Sequence, residues 1–275
     1  MDLKGKILRL YESSFPYSKR DFEVFEDFVS LLDSGKIRAA EKKGNKWIVN
    51  SWVKTGILLG FKMGKLVPYD FHGTRMFDKH TYPIKKISLE DGIRLVPGGT
   101  SVRRGAFIAS NVTIMPPSYV NVGAYVDEGT MLDSHSLVGS CAQIGKKCHI
   151  SAGVQIGGVL EPVNLSPVIV EDEVLMGGNS GIFEGVVVKK RAVIAAGVLL
   201  TSSMKIYDVV LNRVIEKDEN NVLTVPENSV VVSGSRPASG EFAQKNRISI
   251  YTPVIVKYRD DKTDEKSQLE EVLRA

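Results

Sequence analysis

Metal and disulfide chemistry have little to work with here, because the 275 residues include only two cysteines, Cys141 and Cys148, and four histidines. Two thiols cannot build a disulfide framework or a four-cysteine zinc site, and reduced thiols suit an intracellular setting. No apolar run approaches the roughly 20 residues that span a bilayer. The opening MDLKGKILRLYESSF lacks an apolar signal core and cleavage site, so a cytoplasmic location is expected. A basic block is missing too: the formal charge is +4, and lysines and arginines are scattered or stand beside acids, as in KDENN and RDDKTDEK. That argues against nucleic acid as partner. The small excess suits an anionic small molecule, or merely a solvated surface. Phosphate loops of the Walker and dinucleotide types are absent, which removes the simplest arguments for nucleotide hydrolysis or hydride transfer.

Periodic hydrophobicity divides the rest into three segments. Residues 1–100 predict a small, mostly helical domain. Phe22, Phe25, Phe28, Val29 and Leu32 recur at helical spacing up to a stop at Asp33-Ser34-Gly35, and a second helix carries Val53, Ile57 and Phe61 behind Asn50 as its cap. These aromatic stripes read as core.

From Val102 an aliphatic residue returns every sixth position, at Val102, Ile108, Ile114, Val120, Val126, Leu132, Val138, Ile144, Ile150 and Ile156. Four residues after each stands a small or β-branched one, as at Ala106, Val112, Ser118, Ala124, Thr130 and Ser136. Two inward positions per hexad line a narrow interior, and three hexads close one coil of a parallel β-helix. Gly105, Gly123, Gly129 and Gly153 share a corner position where unusual backbone angles cost glycine least. The register breaks through GGVLEPVNLSPV and resumes, shifted by two, at Val170, which predicts an external loop near 157–169 within a coil of residues 101–205. Periodicity does not supply the handedness of the coil.

Residues 206–275 alternate in VLNRVIE, NSVVVSG and ISIYTPVIVKY, giving a small β cap. The charged tail from Asp264 to Arg274, with Leu269, Val272 and Leu273 apolar, predicts a terminal helix.

Several side chains could carry chemistry. A carbonic-anhydrase coil needs three imidazoles on zinc, yet only His135 and His149 lie in the coil, and their spacing does not match its turns. His135, at an outward corner, is a candidate general base toward a hydroxyl, or simply a surface residue. For an amine acceptor, a carboxylate could orient the ammonium and take its proton, and Asp127, Glu128 and Asp133 offer that in YVDEGTMLDS. Cys141 could be imagined as an acyl carrier, although nothing near it marks a lowered thiol pKa. Cys148 falls in an inward slot.

The stretches VNVGAYVDEGTMLDS, VGSCAQIGKKCHISAGVQIGGVLEP and SVVVSG, with LLDSGKIRAAEK upstream, closely resemble the tetrahydrodipicolinate N-succinyltransferase family of lysine biosynthesis, over nearly the whole chain. The resemblance implies a left-handed β-helix in a homotrimer, with active sites between subunits. It implies succinyl transfer from succinyl-CoA, a co-substrate, to the amino group of the ring-opened acceptor, giving N-succinyl-2-amino-6-oxopimelate and CoA without a metal. Asp133 would match the aspartate facing the acceptor amine, and Arg94, in GIRLVP, an arginine binding an acceptor carboxylate. By neighbourhood alone, Arg236 and Lys245 are candidates for CoA phosphates. Two positions depart from the pattern: Gly181, in GGNSGIFEG, stands where the family carries a glutamate, with Glu184 retained, and His135 replaces a tryptophan. An acetyl-CoA-dependent sister enzyme and a catalytically silent scaffold are the alternative readings.

Overall fold

The computed structural model describes residues 2–13, 15–71 and 73–259. The helix expected over Asp264–Arg274 lies outside the described residues, as does His72.

Three helices open the chain: α1 (Leu3–Glu12), α2 (Lys19–Asp33) and α3 (Ser51–Met63). A reciprocal cap starts α2, where Ser18 accepts from the Asp21 backbone and the Asp21 carboxylate accepts from the Ser18 backbone. Phe25, Phe28, Val29 and Leu32 are buried, and Gly35, at φ +70°, turns the chain out of the helix. Asn50 stands at the start of α3 but makes no side-chain cap. Its amide donates to the Arg38 carbonyl and the Glu41 carboxylate instead. The N-terminal segment also holds two antiparallel hairpins, Ala40–Lys43 with Lys46–Val49 and Leu66–Phe71 with Thr74–Lys79, beyond the helices expected.

The remainder is a left-handed parallel β-helix with a β extension. Two-residue strands repeat down three faces of a prism. The first face runs from Phe107–Ile108 to Thr224–Val225, the second from Arg94–Leu95 to Val193–Ile194 and the third from Ser101–Val102 to Leu199–Leu200. Strands pair eighteen residues apart, as Tyr125 with Gln143 and Met131 with His149. Pairing begins at Arg94–Leu95, ahead of residue 101, because Pro97-Gly98-Gly99 adds a residue that hides this strand from a strict six-residue count. The inward aliphatics from Ile114 to Leu200 are fully buried. Polar residues in the small inward slots are paired except Ser180, whose buried hydroxyl has no partner among the described residues: Thr130 donates to Gly145 O at 2.8 Å and accepts from Cys148 N, and the Ser118 and Ser136 hydroxyls meet at 3.0 Å.

Each edge of the prism has its own chemistry. Between the first and second faces, acidic and basic corners alternate down the coils, with Lys146 on Glu128 and Lys190 and Arg191 on Glu173. The helices seat on the edge between the third and first faces, where Val122 and Cys141 join the α2–α3 core. A Cβ on Gly123 would stand 2.6 Å from Ile57 Cδ1, so this contact requires glycine. The first face is covered by the hairpin at 40–49. Arg38 lies 3.5 Å over the Tyr125 ring, and Glu171, 6% exposed, takes a hydrogen bond from Trp47 and ion pairs from Lys42 and Lys189. Burial alone would raise the Glu171 pKa, but these partners outweigh it and hold the carboxyl below its ordinary range.

The second face continues into the C-terminal strands. Ser229–Pro237 pairs in parallel with Val193–Ile194 and antiparallel with Ser249–Tyr258, which also flanks Ile206–Asp208. Asp208, buried, accepts from Arg213 and Tyr258 and locks this extension.

Candidate active site

Asp133 follows the strand Met131–Leu132 and begins the corner between the second and third faces. Its amide donates to Ile150 O at 2.8 Å, and its Oδ1 accepts from Ser134 N at 2.7 Å. The side chain is half-buried, and the Asp133 carbonyl is tied to the Ser118 hydroxyl, so the backbone under the carboxylate is fixed. Arg94 lies on the same face. It pairs with Thr113, which pairs with Met131, so one intervening strand and a two-residue offset separate Arg94 from Asp133, about 12 Å at the usual strand spacing and rise. Arg94 therefore belongs to a coil strand rather than to a linker. Asp127 and Glu128 occupy the edge between the first and second faces, where Glu128 pairs with Lys146, and do not join Asp133.

His135 holds the left-handed position of the Asp133 corner, at φ +62°, and is exposed, with its amide donating to Pro117 O. Further down the same edge the corners are Ser151-Ala152-Gly153, Gly177-Gly178-Asn179 and Ala195-Ala196-Gly197, a column of small side chains beneath the carboxylate. It ends where Ser233 donates to Gly197 O and the Tyr251 hydroxyl bridges the Leu199 amide and carbonyl. Arg236, opposite Ile250, lies beyond that point, four strand steps across and four residues along from Asp133, about 23 Å. Lys245 is exposed in the short helix Glu241–Lys245. Neither is brought next to Asp133.

A cleft of about 740 Å³ opens on the other side of the third face. Its floor is Leu137, Gly157 and Phe183, one wall is the external loop with Val159, Glu161, Leu165 and Ser166, and the opposite wall is the turn at Asn220 and Asn221. Sequence reasoning did not find this cleft, because its walls come from three coils and two excursions. Gly181 lies beside it. A Cβ there would stand 2.7 and 2.9 Å from the Phe183 ring and 3.1 Å from Leu199, so the ring fills the place a larger side chain would need. Glu184 does not substitute freely for a second carboxylate, since its Oε2 accepts from the Ser202 amide and hydroxyl.

Both thiols are inert. Cys148 lies in the coil interior and Cys141 under α3, and burial pushes each up to about 12. Among the described residues no group of three or more histidines, cysteines or acids is placed to hold a metal. No described helix is long and apolar enough to cross a membrane.

A prism of stacked hexads is the architecture of hexapeptide-repeat proteins, and this one carries a carboxylate on one edge and a cleft on the next. Residues 3–63 match the N-terminal model of tetrahydrodipicolinate N-succinyltransferase, and residues 167–202 the hexapeptide repeat of succinyl-transferase. The chain is 43% identical over 257 residues to the 2,3,4,5-tetrahydropyridine-2,6-dicarboxylate N-succinyltransferase of Acinetobacter baylyi, covering 92% of this chain and 89% of that one. It is 45% identical over 258 residues to the enzyme of the same name from Methylobacillus flagellatus, covering 92% and 88%. The chain belongs to the tetrahydrodipicolinate N-succinyltransferase family. A solved Campylobacter jejuni structure, described as a candidate 2,3,4,5-tetrahydropyridine-2-carboxylate N-succinyltransferase, shares the fold at a TM-score of 0.53 and 18% identity. That match covers 89% of this chain and 64% of that one.

Proposed function

We propose that the protein transfers the succinyl group of succinyl-CoA to the amino group of ring-opened tetrahydrodipicolinate, in the diaminopimelate route to lysine, and that Asp133 is the residue on which the transfer turns. The observation that carries this reading is a half-buried carboxylate, held by the Ser134 amide above a column of mostly small corner residues, in a chain 43–45% identical to enzymes named for the reaction.

Asp133 orients the acceptor ammonium and removes its proton, and the freed amine attacks the thioester carbonyl. A C–N bond forms, the C–S bond breaks and the sulfur leaves as CoA thiolate, which takes up a proton. Holding both reactants side by side supplies much of the acceleration, and a backbone N–H of the edge stabilises the oxyanion. Arg94, on the same face, pairs with an acceptor carboxylate through its planar fork. The small-residue column takes the acyl-CoA arm, with Arg236 and Lys245 toward its phosphates. In this arrangement the helical segment ahead of Arg94 braces the coil, and the strands from Ile206 to Tyr258 close its end.

On one chain Asp133 and the cleft stand on different edges. Joining them on one substrate takes a second copy, whose cleft edge meets the Asp133 edge of the first; three copies about an axis close this head-to-tail contact. The site is then shared between subunits of a homotrimer. Two free, buried cysteines and the use of acyl-CoA suit a cytoplasmic enzyme. Mass spectrometry of a reaction with succinyl-CoA and 2-aminopimelate should show a succinylated acceptor; acetyl-CoA supporting faster transfer would reassign the donor.

A further inference from the structure

Lys54, in the first turns of α3, has no exposed surface. Its Nζ donates to Leu165 O, in the external loop, at 2.6 Å. Among the described residues no carboxylate pairs with it, and the nearby titratable group is the Cys141 thiol, itself held neutral. Burial lowers the pKa of this ammonium, and Cys141 acts weakly in the other direction. Desolvation makes such a site unfavourable for an ammonium, a penalty that an apolar side chain of equal length would avoid, and what the ammonium makes in return is the bond to the Leu165 carbonyl.

That carbonyl belongs to the cleft. Leu160 packs into the helical core, while Glu161, Leu165 and Ser166 form the cleft wall. The loop is thus pinned to the helical unit on both sides of Glu161, by an apolar contact at Leu160 and by Lys54 at Leu165. Its far end is supported from beneath, where the Ser166 carbonyl lies over Gly185.

We infer that Lys54 is a positioning residue for the cleft: by holding the Leu165 carbonyl it fixes the wall from Glu161 to Ser166 against which the acyl acceptor binds. The inference rests on the acyl-transfer reading for the identity of the ligand, but not for the tether. Lys54→Met removes the donor while keeping the bulk, and Lys54→Gln restores an uncharged donor. With Lys54→Met, the KM for 2-aminopimelate should rise severalfold, up to about the tenfold that full loss of one charge-assisted hydrogen bond would allow, while kcat and the KM for succinyl-CoA stay within about twofold. Hydrogen exchange should quicken over residues 161–166 and stay unchanged in α1 and in the coil interior, with Lys54→Gln intermediate in both measures. Unchanged loop exchange, or faster exchange with an unaltered acceptor KM, overturns the inference. So does a general rise in exchange with both KM values and kcat degraded, because Lys54 is then only part of the core. Should the wild type transfer no succinyl group, the same comparison by calorimetric binding of 2-aminopimelate decides the tether separately from the reaction.

Discussion

Replacing Asp133 by asparagine preserves shape and the bond from Ser134 but removes the charge that orients an ammonium and the basicity that deprotonates it. The turnover of Asp133→Asn should fall about 10²–10⁴-fold with an unchanged circular dichroism spectrum; a loss under about threefold would move the base elsewhere. Gly181 poses a packing question instead. Gly181→Glu drives a Cβ into the Phe183 ring, and such overpacking costs about 1–3 kcal/mol, read as a lower melting temperature. Adding Phe183→Ala should return part of that stability, and an equally depressed double variant would contradict the ring as the obstacle. The buried thiols give a pH signature. Cys141 and Cys148 stay protonated in the fold up to about pH 12, whereas unfolded cysteine ionises near pH 8.5. Between these values the unfolded state binds fewer protons, so stability falls as pH rises. Cys141→Ala with Cys148→Ala should flatten that alkaline decline in denaturant melts, and an unchanged slope would assign it elsewhere, to buried Tyr82 first, whose pKa burial also raises.

The hexad was plain in the sequence because the coil interior is narrow: each turn demands an aliphatic side chain and a small one at fixed offsets, with no room for drift. Ile150, fully buried between Leu132 and Met176, shows the cost of a vacancy. Ile150→Ala should lose about 2–5 kcal/mol in chemical denaturation, and a loss below about 1 kcal/mol would mean the coil collapses around the gap. The hairpin at 40–49 was hidden, since its strands AEKK and KWIV show little alternation of apolar and polar residues and are held by distant partners, Trp47 on Glu171, 124 residues away in sequence, and Arg38, just before the hairpin, on Tyr125. Asp133 and Arg94 were legible as motif residues. The shared face that brings them within one strand of each other was not, because the extra residue at Pro97-Gly98-Gly99 masks the strand of Arg94. Lys54 was invisible for a simpler reason: a lysine in a helix reads as solvent-facing until the loop that covers it is known.

At the scale of the molecule, the prism separates tasks by edge: one for a charge ladder, one for the helical brace and cleft, one for Asp133. If copies share the site, two defective chains should complement each other. Asp133→Asn mixed with Ser202→Trp, which fills the cleft, should recover activity on refolding or coexpression, and no recovery would confine the site to one chain. Acyl transfer through Asp133 is read out by CoA thiol release from succinyl-CoA with and without 2-aminopimelate, in wild type and Asp133→Asn. Release should depend on the acceptor in the wild type and collapse in the variant; release indifferent to the acceptor, or equal in both proteins, would rule out transfer through Asp133.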